Sequence, residues 1–357
     1  MIDATVDARS ARDDSRVAEA ERFAREILPA VSRTFALSIR VLPGALGRSV
    51  LAAYLLCRIA DTLEDEPSMR AEDKALLLDE LLRCFDEPAV ADAFPAKLAS
   101  LGGDIAHVRL AGRTDLVFVL YRALPTGTQA HVRRWVGEMI LGMKKFVVLY
   151  PHGIRIQSLD EYKEYCYYVA GTVGYLLTDL WHEHVPSIGV RQHGVLREKC
   201  RAFAEALQTV NILKDVATDA EKENSIYIPE ELLREHGSSH ATILAPERLR
   251  QTRDALATMV QLAWHDLEGA RSYLLLIPRR AVPIRLFCVL PLLFAYATLR
   301  DLTRTPQALV RREVVKISRA EVKSLTLFGF LVIMSNRGLA WLADRAMRRP
   351  FLVAGVR

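Results

Sequence analysis

Two pairs of aspartates have the residue types and the spacing that could do chemistry in this chain of 357 residues. Asp61 and Asp65, with Glu64 between them, form one pair, and Asp215 and Asp219 form the other. In each pair the aspartates are four positions apart, so on a helix they share one face about a turn apart. Two such pairs facing each other would make the oxygen-rich kind of site that Mg²⁺ prefers, and Mg²⁺ also binds phosphate oxygens. The spacing therefore predicts Mg²⁺-dependent chemistry on a diphosphate.

The first pair ends a largely apolar run, Ser49 to Asp65, whose spacing predicts a helix. A helix this apolar is expected to be buried, and a buried carboxylate is costly unless it is paired or binds a metal. The alternative is a solvated helix end, because the acids continue to Glu66, directly before the break at Pro67. A single pair of this kind would favour that alternative.

The second pair belongs to a polar stripe on another apolar helix, predicted over Ala202 to Val216. Gln208 and Asn211 precede Asp215 and Asp219 at spacings of three, four and four residues. Amides and carboxylates in a row are poor core material unless a ligand satisfies them. A stripe that simply faces solvent is the alternative.

A third segment, Tyr165 to Gly174, places two glycines in a predicted helix. A helical glycine costs roughly 1 kcal/mol relative to alanine, so Gly171 and Gly174 indicate the close approach of a neighbouring helix or of a bulky apolar ligand. Tyr165 and Tyr168 lie near the same face as Gly171. A tyrosine hydroxyl in an apolar cavity can carry a proton, although a buried tyrosine is more often only an amphipathic core residue.

Helices would position these residues, because apolar residues recur at helical spacing through most of the chain. Prolines fall mostly between the apolar runs, and only the short segment Ser225–Pro229 looks extended. We predict an all-α, single-domain helical bundle around a central cavity, with a flexible segment over 1–16, the helical domain over 17–344 and a basic tail over 345–357. The predicted helices are 17–28, 48–63, 73–85, 129–149, 160–181, 195–216, 248–274, 283–300 and 320–344.

Composition excludes several function classes. The chain has 48 Lys+Arg and 43 Asp+Glu, a spread-out excess of +5 that argues against nucleic-acid binding. Five scattered cysteines form no CxxC pair, which argues against a zinc site or a disulfide framework and favours a reducing cytoplasm.

The most membrane-like stretch is Leu325 to Met334, which is too short to span a bilayer, so we expect no transmembrane anchor. A buried helix is one interpretation of this stretch. The other is peripheral contact with the inner face of a membrane, which the arginines of the tail from Arg345 to Arg357 would favour if the lipid is anionic.

These segments together resemble the squalene/phytoene synthase family of head-to-head prenyl transferases. The likeness covers roughly Phe23 to Met334 and implies an isoprenoid-synthase-type helical bundle. The motifs that carry it are, in chain order, Val31–Ser38, Tyr54 with Arg58 and Asp61–Asp65, Tyr165–Gly174, and Gln208, Asn211, Asp215 and Asp219 followed by Tyr227–Pro229.

Two later segments favour the squalene synthases within this family. Leu286–Pro291 is similar to their aromatic-bearing helix, and Val315–Ile317 is similar to a segment associated there with NADPH. The chain departs from the pattern in two places. Ala220–Ser225 contains one extra residue, with Lys222 as its only cation, and Ser318 stands where a basic residue is common.

The resemblance implies that two farnesyl diphosphates condense to presqualene diphosphate, which NADPH then reduces to squalene. Mg²⁺ or Mn²⁺ would bind the diphosphates, and Tyr165 would remove a proton, with the released diphosphate as an alternative base. Phe287 would face a carbocation through its ring. The implied metal ligands are Asp61, Glu64, Asp65, Asn211, Asp215 and Asp219. The implied substrate-binding residues are Ser32, Arg33, Phe35, Tyr54, Arg58, Gln208, Asn211 and Lys214. The implied NADPH contacts are Arg58, Asn211, Lys316 and Arg319.

Other functions stay open from the sequence. An enzyme of the same family without reductant would make dehydrosqualene, phytoene or presqualene diphosphate. A protein of another class would bind prenyl lipid without catalysis, although the presence of all four aspartates speaks against it. We expect a monomer or a weak homodimer.

Overall fold

The computed structural model describes the backbone of residues 2–304 and 315–352, and within these ranges the side chains of all residues except 2–13 and Arg33. The described chain is helical throughout and contains no β-strand. One isolated β-bridge pairs Arg155 with Ile226, and Ile226 belongs to the segment Ser225–Pro229 that was predicted to be extended. The all-α class predicted from the sequence is confirmed.

The helices that carry or surround the predicted site follow from the apolar spacing and its breaks. The α-helices of the described ranges are α1 (Ile2–Val31), α2 (Arg33–Arg40), α3 (Gly44–Glu64), α4 (Ala71–Asp86), α5 (Pro88–Lys97), α6 (Ile105–Ala111), α7 (Thr114–Arg122), α8 (Thr126–Leu149), α9 (Leu159–Cys166), α10 (Thr172–His184), α11 (Val190–Arg197), α12 (Cys200–Thr218), α13 (Glu230–Glu235), α14 (Leu249–Leu276), α15 (Val282–Arg304), α16 (Arg319–Val332) and α17 (Asn336–Arg348).

Three predicted helices are interrupted in the structure. A π-helical turn, Tyr167–Gly171, separates α9 from α10, and a short break separates α11 from α12. A third break separates α16 from α17, where the Ser335 hydroxyl accepts a hydrogen bond from the Gly338 amide and caps α17. Apolar periodicity alone continues through such breaks, because the flanking turns keep the same face buried.

Several short helices were missed by the sequence analysis. They are α2, α5, α6, α7 and α13, each of ten residues or fewer. A helix of two or three turns carries few apolar repeats, so its periodicity is weak. Capping side chains hold some of these short helices: the Asp104 carboxylate accepts hydrogen bonds from the amides of Ala106 and His107 at the start of α6.

The helices that carry the two acidic pairs lie inside the bundle. α12 packs against α10, α14 and α15, and α3 packs against α7, α8 and α10. A Cβ on Gly174 would lie 2.4 Å from the Cys200 carbonyl oxygen, so α10 approaches the backbone of α12 as only glycine permits. Close helix packing, rather than room for a ligand, therefore explains this glycine.

The predicted boundaries at residues 16 and 344 both fall inside helices. α1 begins at Ile2, so it has no boundary near residue 16, and α17 continues past 344 to Arg348. Residues 353–357 of the predicted tail lie outside the described residues. In the described ranges the one helix long and apolar enough to cross a membrane is Val282–Arg304, not 325–334. Most of it, 78% of the apolar window, is buried within the protein, as in a core helix of a soluble protein.

Candidate active site

The first acidic cluster occupies the last turn of α3. Asp61 accepts a hydrogen bond of 3.1 Å from the Arg58 guanidinium, and Asp65 caps the helix C-terminus. Glu64 is only 5% exposed, and its Oε1 atom has no hydrogen-bond partner. Burial and the neighbouring Asp65 and Asp61 raise the pKa of Glu64 well above its ordinary value. The cluster therefore concentrates negative charge that the protein alone leaves unsatisfied.

The second acidic cluster lies where α12 gives way to a second π-helical turn, Asp219–Glu223. Asp215 pairs with Lys214 at 3.0 Å. Burial, followed by repulsion from Glu223 and Asp215, raises the pKa of Asp219 to about 9. The turn ends at Asn224, whose φ of 50° is left-handed, and the Ser225 amide then donates to the Asp219 carbonyl.

The structure brings the two acidic clusters together. Burial raises the pKa of Asp65, and the next largest cause is Glu223 on the opposite cluster. Asp65 in turn contributes to the raised pKa of Asp219. Because Coulomb repulsion falls with distance, this mutual effect places the end of α3 opposite the second π-helical turn.

The second π-helical turn falls in the segment 220–225, where the sequence departs from the family's pattern. A π turn takes up more residues than an α turn, so it absorbs an insertion without displacing the flanking elements. Glu223 at its end was missed by the sequence analysis. The signal was present, because Asp215, Asp219 and Glu223 continue the spacing of four residues.

Two basic residues of the site were also missed. Lys74 on α4 donates a hydrogen bond to the Glu64 carbonyl, and burial lowers its pKa. His107 on α6 lies with its Nε2 atom 3.4 Å from the Arg58 guanidinium. Neither residue had a sequence signal, since each comes from a separate helix that only the tertiary fold places beside the acids.

The tyrosine predicted to handle a proton lies beside the acidic clusters. Tyr165 is 3% exposed, stacks on Tyr227 and meets the edge of Phe146. Burial raises its pKa well above the ordinary value, and Glu64 raises it further. The phenol therefore stays protonated and lies close to the carboxylates.

An aromatic wall joins α2, α3 and α15. The Phe35 ring lies 5.6 Å from that of Tyr54 and 6.5 Å from that of Phe287, and Phe287 in turn meets Trp181 at 5.3 Å. Ser32 caps α2 by accepting a hydrogen bond of 3.1 Å from the Phe35 amide. The predicted residues on these three elements thus form one contiguous group.

The remaining predicted residues are less closely tied to the acids. Gln208 is half-buried and Asn211 is exposed on α12. Lys316 and Arg319 are exposed at the start of the α16 segment, with no ion pair to another described residue. The side chain of Arg33 lies outside the described residues.

The side chains of the acidic clusters have the donor chemistry of a divalent-cation site. Across the described ranges, no three His, Cys, Asp or Glu side chains are already arranged to hold a metal. The donor chemistry nevertheless fits Mg²⁺, because the facing groups are carboxylates, they repel one another, and the Glu64 Oε1 atom lacks a partner. A cation between the clusters would reduce the repulsion among the carboxylates and give the Glu64 Oε1 atom a partner.

Two clefts of about 420 and 400 Å³ lie on the outer face of α8. Leu141 lines both, with Arg133 and Glu138 in the first and Lys145 in the second. Neither cleft includes a residue of the acidic clusters, so the predicted substrate cavity between the aspartate helices stays a prediction.

Comparison with known proteins identifies relatives over most of the chain. A family model described as squalene/phytoene synthase matches residues 28–321. The squalene synthase of Schizosaccharomyces pombe is 25% identical over 317 residues. This match covers 88% of the present chain but 66% of the relative, so the chain spans just under two thirds of that protein's length.

Solved structures share the fold. TcSQS in complex with the ligand BPH1237 superposes with a TM-score of 0.77 at 22% identity, covering 92% of this chain and 98% of that one. A dehydrosqualene synthase in complex with a ligand gives a TM-score of 0.63 at 21% identity, covering 93% of this chain and 99% of that one. At these identities the likeness shows a common helical architecture.

Proposed function

Because the chain belongs to the squalene/phytoene synthase family, whose members are prenyl transferases, we propose that it joins two farnesyl diphosphates head to head. The product would be presqualene diphosphate, which the same site then reduces to squalene with NADPH. The observation that carries the proposal is the approach of the two acidic clusters, in which Glu223 raises the pKa of Asp65 and Asp65 raises the pKa of Asp219.

The acidic clusters would hold the diphosphates through a divalent cation. Asp61, Asp65, Asp215 and Asp219 are the proposed ligands, with Glu64 and Asn211 beside them. Mg²⁺ or Mn²⁺, when bound, supplies positive charge that stabilises a departing diphosphate. Two of the chain's own cations pair with these acids, Arg58 on α3 with Asp61 and Lys214 on α12 with Asp215.

Arg58 and Lys214 suit the binding of phosphate oxygens. Each lies half-buried beside an aspartate, and each keeps hydrogen-bond donors beyond those used in its pair. The Arg58 Nε atom is buried and has no partner, so a ligand oxygen would satisfy it. We assign both residues to the orientation of the diphosphates, with Gln208 as a polar neighbour one turn before Asn211.

The aromatic wall would bind the prenyl chains and keep water away from an allylic cation. Phe287 is 2% exposed and Phe35 and Tyr54 pack in front of it, so an apolar chain lying there is shielded from solvent. An aromatic face also attracts positive charge, which suits Phe287 to a position beside a carbocation. Ser32 and Arg33 begin α2 at the edge of this wall.

Tyr165 would take part in the proton transfer of the first half-reaction. The protonated phenol is not a base, so Tyr165 would take up the substrate's proton only as it passes its own hydroxyl proton to a carboxylate or a released diphosphate. Glu64 and Asp65, which raise its pKa, are the nearby carboxylates proposed to receive the proton.

NADPH would bind through exposed cations. Lys316 and Arg319 have no ion pair with another described residue, which suits them to phosphate oxygens. Arg58 and Asn211 lie on the acidic side of the site and are proposed as further contacts. A protein with this set of partners would work in the cytoplasm.

One incubation tests the activity. Labelled farnesyl diphosphate is supplied with Mg²⁺, with and without NADPH, and the extracted products are identified by mass spectrometry. We expect squalene only with NADPH and presqualene diphosphate without it. Dehydrosqualene formed in both incubations would contradict the reductive step, and phytoene formed only from a C20 diphosphate would contradict the chain length.

The same incubation separates catalysis from binding. Diphosphate release is followed with EDTA and after Mg²⁺ is restored. We expect release to depend on the cation. Binding of farnesyl diphosphate without release under either condition would mean that the chain is a prenyl-lipid-binding protein.

A further inference from the structure

A row of large apolar side chains faces solvent on α16 and α17. Leu327, Phe330, Leu331 and Met334 recur at spacings of three, one and three residues along α16 and just beyond it, so they form one helical stripe. Trp341 on α17 is also exposed, and its ring lies 6.5 Å from that of Phe328 on α16. We call these five residues the hairpin surface. Their exposed fractions range from 44% to 68%, although such a stripe is normally the face that a helix buries.

The hairpin surface lies on a firmly packed support. The other face of α16 packs on α15, where a Cβ on Gly329 would lie 3.7 Å from the side chains of Val289 and Leu293. On the side toward α17, the Phe328 ring contacts those of Trp341 and Phe351. The helices that carry the stripe are thus held in place by their other faces. The stripe itself is exposed, because none of the described residues covers it.

The charged residues of the segment that carries the hairpin surface are mostly cations. Within 315–352 the only acids are Glu321 and Asp344. Glu321 is buried against Arg300 at 2.8 Å, and Asp344 pairs with Arg271 at 2.7 Å. Six further charged residues of that range are exposed, and all six are cations without an ion pair to a described residue: Lys316, Arg319, Lys323, Arg337, Arg348 and Arg349.

A second exposed apolar stripe shows what distinguishes the first. Leu141, Val148 and Leu149 on α8 are as exposed as the hairpin surface. The lysines among them are neutralised, because Lys144 pairs with Asp79 and Lys145 pairs with Glu164. Both regions carry an exposed apolar stripe. Only on α16 and α17 does that stripe lie in a segment of net positive charge.

We propose that the hairpin surface docks on a lipid bilayer with anionic headgroups. Apolar side chains with a tryptophan would enter the boundary between headgroups and acyl chains, and the surrounding cations would meet the anionic lipid. The charge complementarity selects a membrane over a second copy of this chain, because two copies meeting face to face would bring their cations together. This surface goes beyond the proposed catalytic function and does not depend on it.

Vesicle flotation tests the docking without any substrate. The whole chain is mixed with phosphatidylcholine vesicles, with or without phosphatidylglycerol, and the floated fraction is measured. We expect binding to the anionic vesicles, which weakens at high salt because the attraction is screened. Leu331→Glu with Met334→Glu should lower binding about tenfold or more, since apolar area is lost and like charge is added. Arg337→Gln with Arg348→Gln should weaken binding to anionic vesicles.

Val148→Glu with Leu149→Glu on α8 is the matched control and should bind as the wild type does. The thermal midpoint of every variant is measured, and no loss is expected because the changed side chains are exposed. Three outcomes would overturn the proposal: no flotation of the wild type, equal flotation of the hairpin and control variants, or equal binding to neutral and anionic vesicles. Dimers that dissociate in Leu331→Glu with Met334→Glu, without flotation, would assign the surface to a second copy instead.

Discussion

The ring of Tyr165 stacks on the ring of Tyr227, with centroids 4.9 Å apart and planes inclined by 26°. Tyr227 follows the second π-helical turn, so this contact ties the end of the second acidic cluster to the helix that carries Tyr165. Burial raises the pKa of both phenols, and Glu64 and Asp65 raise them further. The two acids therefore influence the ionisation of both phenols.

Tyr165→Phe should impair the first half-reaction. We expect presqualene diphosphate formation to fall about a hundredfold, since the variant loses a proton-relaying hydroxyl but keeps the ring. The rate is measured without NADPH. Tyr162→Phe is the control, because its equally buried hydroxyl bonds to Thr209 and should affect stability more than rate. Normal product formation by Tyr165→Phe would remove Tyr165 from the proposed chemistry.

Asp61→Asn and Asp215→Asn should each abolish turnover while the fold survives. We expect activity to fall about a thousandfold or more, because charge stabilisation by a bound cation is worth several kcal/mol. Product formation and thermal midpoints are measured together. Asp73→Asn, which changes an exposed acid paired with Arg70, should leave activity near the wild-type value. Near-wild-type turnover in either of the first two variants would refute the metal assignment.

Glu223→Gln should stabilise the substrate-free protein and weaken the affinity of the enzyme for Mg²⁺. Removing one like charge beside Asp65 and Asp219 should raise the free energy of unfolding by about 1 kcal/mol. The same loss should raise the Mg²⁺ concentration needed for half-maximal rate. Urea unfolding and a Mg²⁺ titration measure the two effects, and Glu72→Gln on the exposed start of α4 should show neither.

Gly174→Ala should destabilise the protein by about 1–3 kcal/mol, the usual cost of overpacking a core. The new Cβ would collide with the Cys200 carbonyl, which belongs to the backbone and cannot turn away. Gly194→Ala on α11 is the control, since nothing lies within 4 Å of its Cβ, and it should stabilise the helix slightly. Equal unfolding midpoints for the two variants would show that α10 and α12 can separate without cost.

Asp266 should make stability depend on pH between about 4 and 6. Burial, with repulsion from Glu205, raises its pKa from 3.8 to about 6, while His265 and Lys163 act in the opposite direction. In that window the folded protein holds a proton that the unfolded chain has released, so stability falls as pH rises. Solvent screening reduces the effect to about 1 kcal/mol.

The control for this dependence is Asp266→Asn, which cannot titrate. Urea unfolding of both proteins at a pH below and a pH above the window gives the difference. A wild type that loses no more stability than the variant across the window would contradict the assignment.

The sequence predicted the long helices and the two acidic pairs because both depend on local spacing. The apolar run before Asp61 and the polar stripe from Gln208 to Asp219 needed no tertiary knowledge. What lies between the pairs could not be predicted. Lys74 and His107 come from separate helices, and the left-handed Asn224 is set by the extended segment that follows it.

Glycine gives a second example of this limit. The sequence indicated that something approaches closely at Gly171 and Gly174, but it could not say whether that was a helix or a ligand. The structure shows α12 at Gly174 and the Glu205 carboxylate at Gly171. Only the three-dimensional path of the chain decides between these two causes.

The second π-helical turn sets the position of the Glu223 carboxylate. The turn ends at Glu223, and this carboxylate raises the pKa of Asp65 at the end of α3. Removing one residue from 220–222 is expected to convert the π-helical turn into an α-helical turn and so to rotate the Glu223 carboxylate away from Asp65. A change in chain length, with no substitution at all, would thus tune how strongly the site attracts a cation.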